Sequence, residues 1–378
     1  MNNIKKSYPI RVVALTNTRQ TERTTKFVPG EAPDPRREFE TLWKFGIIFE
    51  ISDLNKFPLN PMARRGTFYA GFDLVRALKI LLFVRNADVI LCIFENTALF
   101  LVLLRRVFLF RAKIALLEVS PRGWRLRNWV LDYVVPRVDK IIALTRHSKR
   151  YVEGSYKVKA DVEFLSPGID ELFFLPMQGE QKFTILSVGE DYSRDFATLL
   201  EACRPLSCRM VLKTKRKLNI PEEMENRVTI ISERISHRAL RDLYASAHIV
   251  CIPLIETDNP GGITSVLEAM SMGKAIVASY HGTTIDHITN GQEGLLVPVG
   301  DVVATREAIT RIMENPSLSD RLGKNARARV EKEFARPIRA CQLARILRRL
   351  VGAQDWPTEA VIPTQYPDAN KLQSYESR

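Results

Sequence analysis

A glycine pair directly before a predicted helix is the most chemically informative part of the sequence. The segment Gly261-Gly262-Ile263-Thr264 follows the apolar run Ile249–Pro253 and opens a helical pattern over Ile263–Met272. Glycine lets the backbone approach a ligand closely, and the free amides of a helix's first turn favour an anion such as a diphosphate. Glu268 lies on the same face as Thr264, four residues on, and its carboxylate can accept hydrogen bonds from a diol such as a ribose. The same residues also occur at helix starts that bind nothing, so both interpretations stay open here.

The surrounding pattern predicts the elements that position this segment. Apolar runs of strand length alternate with stretches of helical period, which indicates βα units and parallel sheets. Strands are predicted at Ile10–Leu15, Ile47–Ile51, Val89–Phe94, Ile114–Val119, Lys140–Leu144, Phe183–Val188, Met210–Lys213, Val228–Ile231, Ile249–Pro253, Ala275–Ala278 and Gly294–Val297. Helices are predicted at Phe68–Arg85, Asn96–Phe110, Arg125–Val135, Asp195–Ala202, His237–Ala245, Ile263–Met272, Val303–Asn315 and Ser317–Phe334.

A turn and a polar linker divide the pattern into two halves. The strand end at Phe164 runs into Ser166-Pro167-Gly168, and the linker Pro176–Lys182 follows. We therefore expect a first domain over residues 1–170, a second over 171–340, and a C-terminal helix and tail over 341–378. Two Rossmann-like halves joined in this way leave a cleft at the carboxyl ends of both sheets, where such sheets bind ligands.

Composition and charge narrow the class of protein. The five scattered cysteines favour a reducing, cytoplasmic compartment, and no apolar run approaches the ~20 residues of a spanning helix. Residues 1–170 carry 29 Lys and Arg against 17 Asp and Glu, whereas residues 171–378 carry 27 against 26. An excess of +12 in the first half predicts an anionic partner, either nucleic acid or an acidic membrane surface. The basic residues are not interleaved with aromatics on a recognisable module, so we expect no nucleic acid.

Residues 164–334 resemble the C-terminal half of the retaining glycosyltransferases of family 4, which have the GT-B fold. The matching motifs occur in the family's order: Ser166–Asp170 with Phe173 is similar to "PNGVD…F", Leu186–Gly189 to "FVGR", Arg194–Ala202 to "KG…LLEA", Leu267–Ser279 to "LEAMAxGxPVVAS", and Asn290–Asp301 to "NGxxGLLVPxGD". The resemblance implies two Rossmann-like domains facing each other across a cleft. It also implies transfer of a hexose from a UDP- or GDP-sugar to an acceptor hydroxyl, and that the first half binds the acceptor.

The resemblance implies a set of donor-binding residues. In the family an acidic pair spaced E-x7-E contacts the sugar and the ribose; Glu268 matches the second member, while the first position is Pro260. Possible replacements for the sugar contact are Glu256, Asp258 and Asn259. The residues that match the diphosphate loop are Gly261, Gly262, Ile263 and Thr264.

The basic residues that the family uses at the leaving diphosphate are only partly present in this sequence. The family's arginine position is Glu190, whereas Arg194 falls beside its lysine position, and Lys213 with Lys215 could restore charge. Breaking a glycosyl–diphosphate bond develops negative charge that fixed cations and amides stabilise. Since the second half has no Asp-x-Asp motif, we expect neither a metal nor any other cofactor.

The acceptor side is expected in the first half. Glu95 and Glu118 follow predicted strand ends and would face the cleft, where either could position or deprotonate the acceptor, and His147 is a further candidate. The apolar and basic segment Ala98–Lys113, with Arg105, Arg106 and Arg111, favours peripheral docking on the inner, cytoplasmic membrane face. A lipid-linked glycan precursor of polysaccharide biosynthesis is the acceptor that this predicts. Two alternatives remain, a sugar-nucleotide epimerase and a catalytically inactive GT-B scaffold.

Overall fold

Two parallel sheets organise the part of the chain that the structure describes. The computed structural model describes residues 8–17, 27–55, 58–65, 67–84, 86–105, 107–108, 110–177, 184–258, 261–354 and 356. Each sheet has six strands in these ranges, and every strand pairing is parallel. The predicted fold class of two α/β units is confirmed.

The first sheet has the strand order β2-β1-β3-β4-β5-β6. Its strands are β1 (Ile10–Leu15), β2 (Ile47–Ser52), β3 (Val89–Ile93), β4 (Lys113–Leu117), β5 (Lys140–Ala143) and β6 (Asp161–Phe164). The interior strands are mostly apolar and buried, because helices cover both faces of the sheet. Edge strand β6 ends at Phe164, as the sequence predicted, but its start was not predicted because Asp-Val-Glu-Phe lacks a continuous apolar run.

The helices of the first half are α1 (Arg36–Lys44), α2 (Thr67–Ala70), α3 (Leu74–Phe83), α4 (Glu95–Leu104), α5 (Arg125–Val134) and α6 (Arg146–Ser155). The helix predicted over Phe68–Arg85 is interrupted after Ala70, and Asp73 caps the second part by accepting from the Arg76 N–H at 3.0 Å. Helices α1 and α6 were not predicted, because both are largely polar.

The second sheet has the order β12-β11-β10-β7-β8-β9. Its strands are β7 (Thr184–Val188), β8 (Arg209–Lys213), β9 (Val228–Ile231), β10 (Ile249–Ile252), β11 (Ala275–Ser279) and β12 (Leu295–Val297). Its helices are α7 (Phe196–Cys203), α8 (His237–Ser246), α9 (Ile263–Ser271), α10 (Val302–Met313) and α11 (Pro316–Arg329). A π-helical turn, Val330–Phe334, completes the segment that was predicted as one helix over Ser317–Phe334.

The chain crosses between the two halves twice, at neighbouring places. The Ile169 N–H donates to the Phe334 carbonyl at 2.9 Å, and the Arg336 N–H donates to the Ile169 carbonyl at 3.0 Å. Helix α12 (Arg336–Leu350) then returns to the first sheet, where Ala340, Leu343 and Leu347 join the core beneath β1. Most of the predicted tail, Asp355 and residues 357–378, lies outside the described residues.

The segment Ala98–Lys113 is not the exposed docking face that the sequence suggested. Its apolar side chains mostly build the core of the first domain, and Ala98 and Leu101 are fully buried. Arg105 forms an ion pair with Asp139 at 2.9 Å, while Arg106 lies outside the described residues. A helix that covers a parallel sheet must bury its apolar side chains, which is why this stretch is apolar. Within the described part of the chain, no helix combines the length and the hydropathy needed to span a bilayer.

Candidate active site

Helix α9 begins directly after the glycine pair, beyond the carboxyl end of strand β10. Gly262 has a φ of +87°, a left-handed conformation that disfavours side chains. Thr264 is exposed, while Ile263 and Ser265 are buried. Because the first-turn N–H groups of a helix have no intrahelical partners, Gly261–Thr264 presents amides and partial positive charge to an anion. We call this turn the anion cradle.

The cradle is packed against the loop that follows β7. A Cβ on Gly261 would stand 2.0 Å from the Ser193 hydroxyl oxygen and 2.7 Å from an Asp191 carboxylate oxygen. Only glycine therefore fits there without displacing the loop. The loop forms one wall of the site.

Arg194 lies buried within this wall, with 3% of its surface exposed. Its Nη2 donates to the Ser265 hydroxyl at 2.9 Å, and its Nε lies 3.3 Å from an Asp191 carboxylate oxygen. Its Nη1 is buried without a hydrogen-bond partner, and a Cβ on Gly262 would lie 3.5 Å from it. Burial lowers the Arg194 pKa, yet a guanidinium stays protonated in proteins. Arg194 is thus a fixed cation beside the cradle.

Glu268 is more enclosed than a residue on an open cleft. It is 7% exposed, and its Oε2 accepts a hydrogen bond from the buried Tyr244 hydroxyl at 2.8 Å. Burial raises the Glu268 pKa to about 7, against the opposing effects of Tyr244 and Arg194. The carboxylate therefore lies beneath the cradle, held by a partner that the sequence did not reveal.

Lys213 and Lys215 do not act as free cations in this structure. The Lys213 ammonium donates to Glu190 Oε1 at 2.9 Å, and the Lys215 ammonium lies 3.3 Å from Glu190 Oε2. Lys213 is buried and Glu190 is exposed. Glu190 thus forms an ion pair with each of the two lysines and offsets one of their two positive charges.

The loop between β10 and α9 touches the first domain. His147, near the start of α6, places its Nε2 3.0 Å from an Asp258 carboxylate oxygen. Beside it, Arg146 binds Asp286 through its backbone N–H at 2.7 Å and its Nη1 at 3.1 Å. Glu256 is exposed on this loop, whereas Asn259 and Pro260 lie outside the described residues.

A buried histidine ties the same loop to the cradle. His281 Nε2 lies 2.9 Å from the Thr257 carbonyl, and its Nδ1 lies 3.0 Å from the Thr283 hydroxyl. That hydroxyl donates to the Gly261 carbonyl at 3.0 Å. The loop is therefore held by residues of both domains.

Glu95 and Glu118 lie at the carboxyl ends of neighbouring strands but below the surface. Glu95 is fully buried and Glu118 is 4% exposed, whereas the sequence led us to expect that both side chains face an open cleft. Glu95 accepts from the Ser120 N–H at 3.3 Å and pairs with Arg127 at 3.4 Å. Glu118 Oε2 accepts from the Leu144 N–H at 3.0 Å, while its Oε1 is buried without a partner.

Backbone strain marks the same place. Phe94 and Glu118 have φ values of 68° and 63°. They are the non-glycine residues with a positive φ in the described chain. Such strain is held in place by its surroundings and clusters at functional sites. Burial also raises the Glu118 pKa to about 7.

The structure thus brings together one subset of the predicted residues. The cradle, Arg194 and Glu268 form a contiguous group with Ser265 and Tyr244. Glu95 and Glu118 instead follow the carboxyl ends of the interior strands β3 and β4 of the other sheet. Among the described residues, no group of three or more His, Cys, Asp or Glu side chains is arranged to hold a metal ion. Ser265, Tyr244 and Asp191 were missed because their roles depend on contacts between elements that are distant in the sequence.

Comparison with known proteins places the C-terminal half in a known context. Residues 212–329 match the model of the family Glycosyl transferases group 1. The chain is 24% identical over 255 residues to an MMP alpha-(1->4)-mannosyltransferase of Mycolicibacterium hassiacum, a match covering 62% of this chain and 61% of that protein. It is 27% identical over 229 residues to a D-inositol 3-phosphate glycosyltransferase of Kribbella flavida, covering 52% and 53%. The chain thus spans between half and two thirds of the length of these relatives.

Solved structures share the architecture of about nine tenths of the chain. Sucrose-phosphate synthase of Thermosynechococcus elongatus aligns with a TM-score of 0.72 at 19% identity, over 91% of this chain and 100% of that one. Anabaena HepE in complex with UDP-glucose aligns with a TM-score of 0.66 at 14% identity, over 90% and 100%. These likenesses confirm the predicted GT-B fold.

Proposed function

We propose that the protein is a glycosyltransferase that moves a sugar from a UDP- or GDP-sugar to an acceptor hydroxyl. The observation that carries this proposal is Arg194 Nη1, a buried N–H without a partner beside the amides of the cradle. An unpaired buried donor costs free energy, and a bound phosphate oxygen would satisfy it. The group 1 family match covers most of the same half, and the likeness to HepE in complex with UDP-glucose supports a nucleotide-sugar donor.

The diphosphate is the leaving group in this proposal. As the bond between the sugar C1 and the diphosphate oxygen breaks, Arg194 and the cradle amides neutralise the developing negative charge. These groups are fixed before the reaction, since Ser265 and Asp191 hold the guanidinium. We therefore propose that transfer needs no divalent ion.

We further propose that transfer retains the anomeric configuration, as the family 4 resemblance implies. The acceptor oxygen attacks C1 on the face from which the diphosphate departs, and the acceptor's proton passes to the departing diphosphate. Glu268 would bind the ribose diol. Glu118 would orient the acceptor hydroxyl through Oε1, the carboxylate oxygen that the structure leaves without a partner.

The acceptor that we propose is a lipid-linked glycan precursor at the cytoplasmic membrane face. Support comes from a surface beyond the carboxyl end of β4, where Trp124, Leu126 and Trp129 are exposed beside Arg122 and Arg125. Exposed aromatic residues flanked by arginines suit an anionic lipid surface. We call this surface the Trp124–Trp129 face, and it replaces Ala98–Lys113 as the basis for docking.

Flotation with anionic liposomes tests this docking. We expect binding that falls as salt rises, and that is lost when Trp129 and Arg125 are changed to Gln. The matched control is Arg311→Gln, which removes one exposed charge from helix α10 of the other domain. A wild-type protein that stays unbound at low salt would contradict the membrane proposal and leave the donor chemistry untouched.

The activity is tested by incubating the protein with UDP- and GDP-sugars, with and without a bacterial lipid extract. We expect release of the nucleoside diphosphate to depend on the lipid extract, with label entering the lipid. An epimerised sugar formed without acceptor would favour the epimerase. Donor binding without turnover of any sugar would favour the second candidate, an inactive scaffold. It remains a candidate because position 260, where the family 4 motif has its first glutamate, is a proline.

A further inference from the structure

Glu190 stands at the end of strand β7 and forms ion pairs with two lysines at the end of β8. Its Oε1 accepts from Lys213 at 2.9 Å, and its Oε2 lies 3.3 Å from the Lys215 ammonium. The Lys213 side chain is 7% exposed, while those of Glu190 and Lys215 are 46% and 58% exposed. One carboxylate is therefore shared by two ammonium groups, and the triad keeps a net charge of +1.

This triad adjoins the anion cradle. A Cβ on Gly189, directly before Glu190, would stand 2.0 Å from Arg194 Nε. The Val188 carbonyl, one residue earlier, accepts from the Ser265 hydroxyl of helix α9 at 3.0 Å. Strand β8 is the immediate neighbour of β7, and adjacent strands lie ~5 Å apart. The cradle follows β10, which neighbours β7 on its other side, so Glu190 lies one strand and Lys213 two strands from the strand that leads into the cradle.

We propose that Glu190 is an internal counter-anion of the donor site, which holds Lys213 and Lys215 until a diphosphate displaces it from at least one of them. This inference rests on the proposed function, because the ligand is the diphosphate of the donor or product. The carboxylate and the diphosphate compete for the same ammonium donors and repel each other. The hydrogen bond from Lys213 lowers the Glu190 pKa, so the carboxylate is charged at neutral pH.

A consequence for turnover follows from the competition. The same carboxylate that opposes donor binding recaptures the lysines when the nucleoside diphosphate leaves, which favours product release. Glu190 therefore sets how tightly the site retains both donor and product. Its removal strengthens binding, the opposite of what loss of a ligand-binding residue does.

Titration calorimetry of wild type and Glu190→Gln with UDP, GDP and inorganic pyrophosphate tests the inference. We expect Kd to fall about threefold to tenfold in the variant at low salt, as removal of one negative charge near a doubly charged diphosphate at a partly exposed site predicts. The gain should shrink as salt rises. Glutamine keeps the size of the side chain, and the exposed position of Glu190 tolerates the change.

Two controls make the result specific. Glu314→Gln removes an identical exposed charge at the end of helix α10 and should leave Kd unchanged. In a Lys213→Met, Lys215→Met background, Glu190→Gln should strengthen binding less than it does with both lysines present, because only the direct repulsion between the carboxylate and the diphosphate is then removed. If wild type binds a nucleotide and Glu190→Gln binds it equally or more weakly, the inference is overturned; weaker binding would mean that Glu190 contacts the nucleotide itself. If neither protein binds any of the three probes, the proposed function fails as well.

Discussion

Arg194 offers the sharpest perturbation of the proposed chemistry. Its guanidinium is 3% exposed, is held by Ser265 and Asp191, and keeps Nη1 free beside the cradle. Removal of one such preorganised group typically lowers kcat ~10²–10³-fold, about 3–4 kcal/mol of transition-state stabilisation. We expect a loss of this size in Arg194→Ala. Arg194→Lys keeps the charge but not the fork of donors, so its loss should be smaller.

The assay follows nucleoside diphosphate release from the donor, with kcat and KM measured separately. The melting temperature of each variant must be measured alongside, since Arg194→Ala leaves Asp191 without its ion pair and is expected to cost ~1–3 kcal/mol of stability. Loss of transition-state stabilisation lowers kcat, whereas loss of uniform binding raises KM alone. A folded Arg194→Ala protein with wild-type kcat would refute the assignment of Arg194 to the leaving group.

Three further predictions concern the other buried or bridging groups. Glu268→Ala should weaken donor binding by ~1.5–3 kcal/mol if the carboxylate binds the ribose, and unchanged affinity in calorimetry of a folded variant would remove that role. Burial raises the Glu118 pKa to about 7, so the folded state binds this proton more tightly than the unfolded state does. The folded state therefore loses stability as pH rises from about 5 to about 8. Glu118→Gln should remove up to ~3 kcal/mol of that loss, as measured by urea unfolding at both pH values; an identical pH dependence in the variant would contradict this. His147 and Asp258 should show a coupling energy of ~0.5–1 kcal/mol in a double-mutant cycle on donor affinity, and additive single effects would show that their contact does not support the donor loop.

The sequence predicted the elements that depend on local patterns. Runs such as Ile249–Pro253 are apolar without interruption because central parallel strands are buried on both faces, and this signal is readable without a structure. The start of helix α9 was equally local, since the glycine pair marks it. The placement of the anion cradle at the start of α9 was therefore predictable from a few neighbouring residues.

Contacts between distant segments were not predictable in the same way. Every residue of α9 except Thr264 is buried, so the periodicity of the helix does not tell which face Glu268 occupies, and Tyr244 lies on another helix. The Glu190–Lys213 pair depends on β7 and β8 being neighbours in register. For the same reason the segment Ala98–Lys113, whose apolar side chains mostly pack in the core of the first domain, was wrongly predicted to be a docking surface.

Binding of a nucleoside diphosphate at the cradle is the central claim, and a thermal-shift titration with UDP and GDP in the presence of EDTA tests it most directly. A ligand that binds the folded state alone raises the melting temperature, by an amount equivalent to ~2.7 kcal/mol at one hundred times Kd. We predict that one of the two nucleotides raises the melting temperature of wild type without a divalent ion, and that Arg194→Ala reduces this shift. A melting temperature unchanged by millimolar UDP and GDP, with and without magnesium or manganese, would contradict the account.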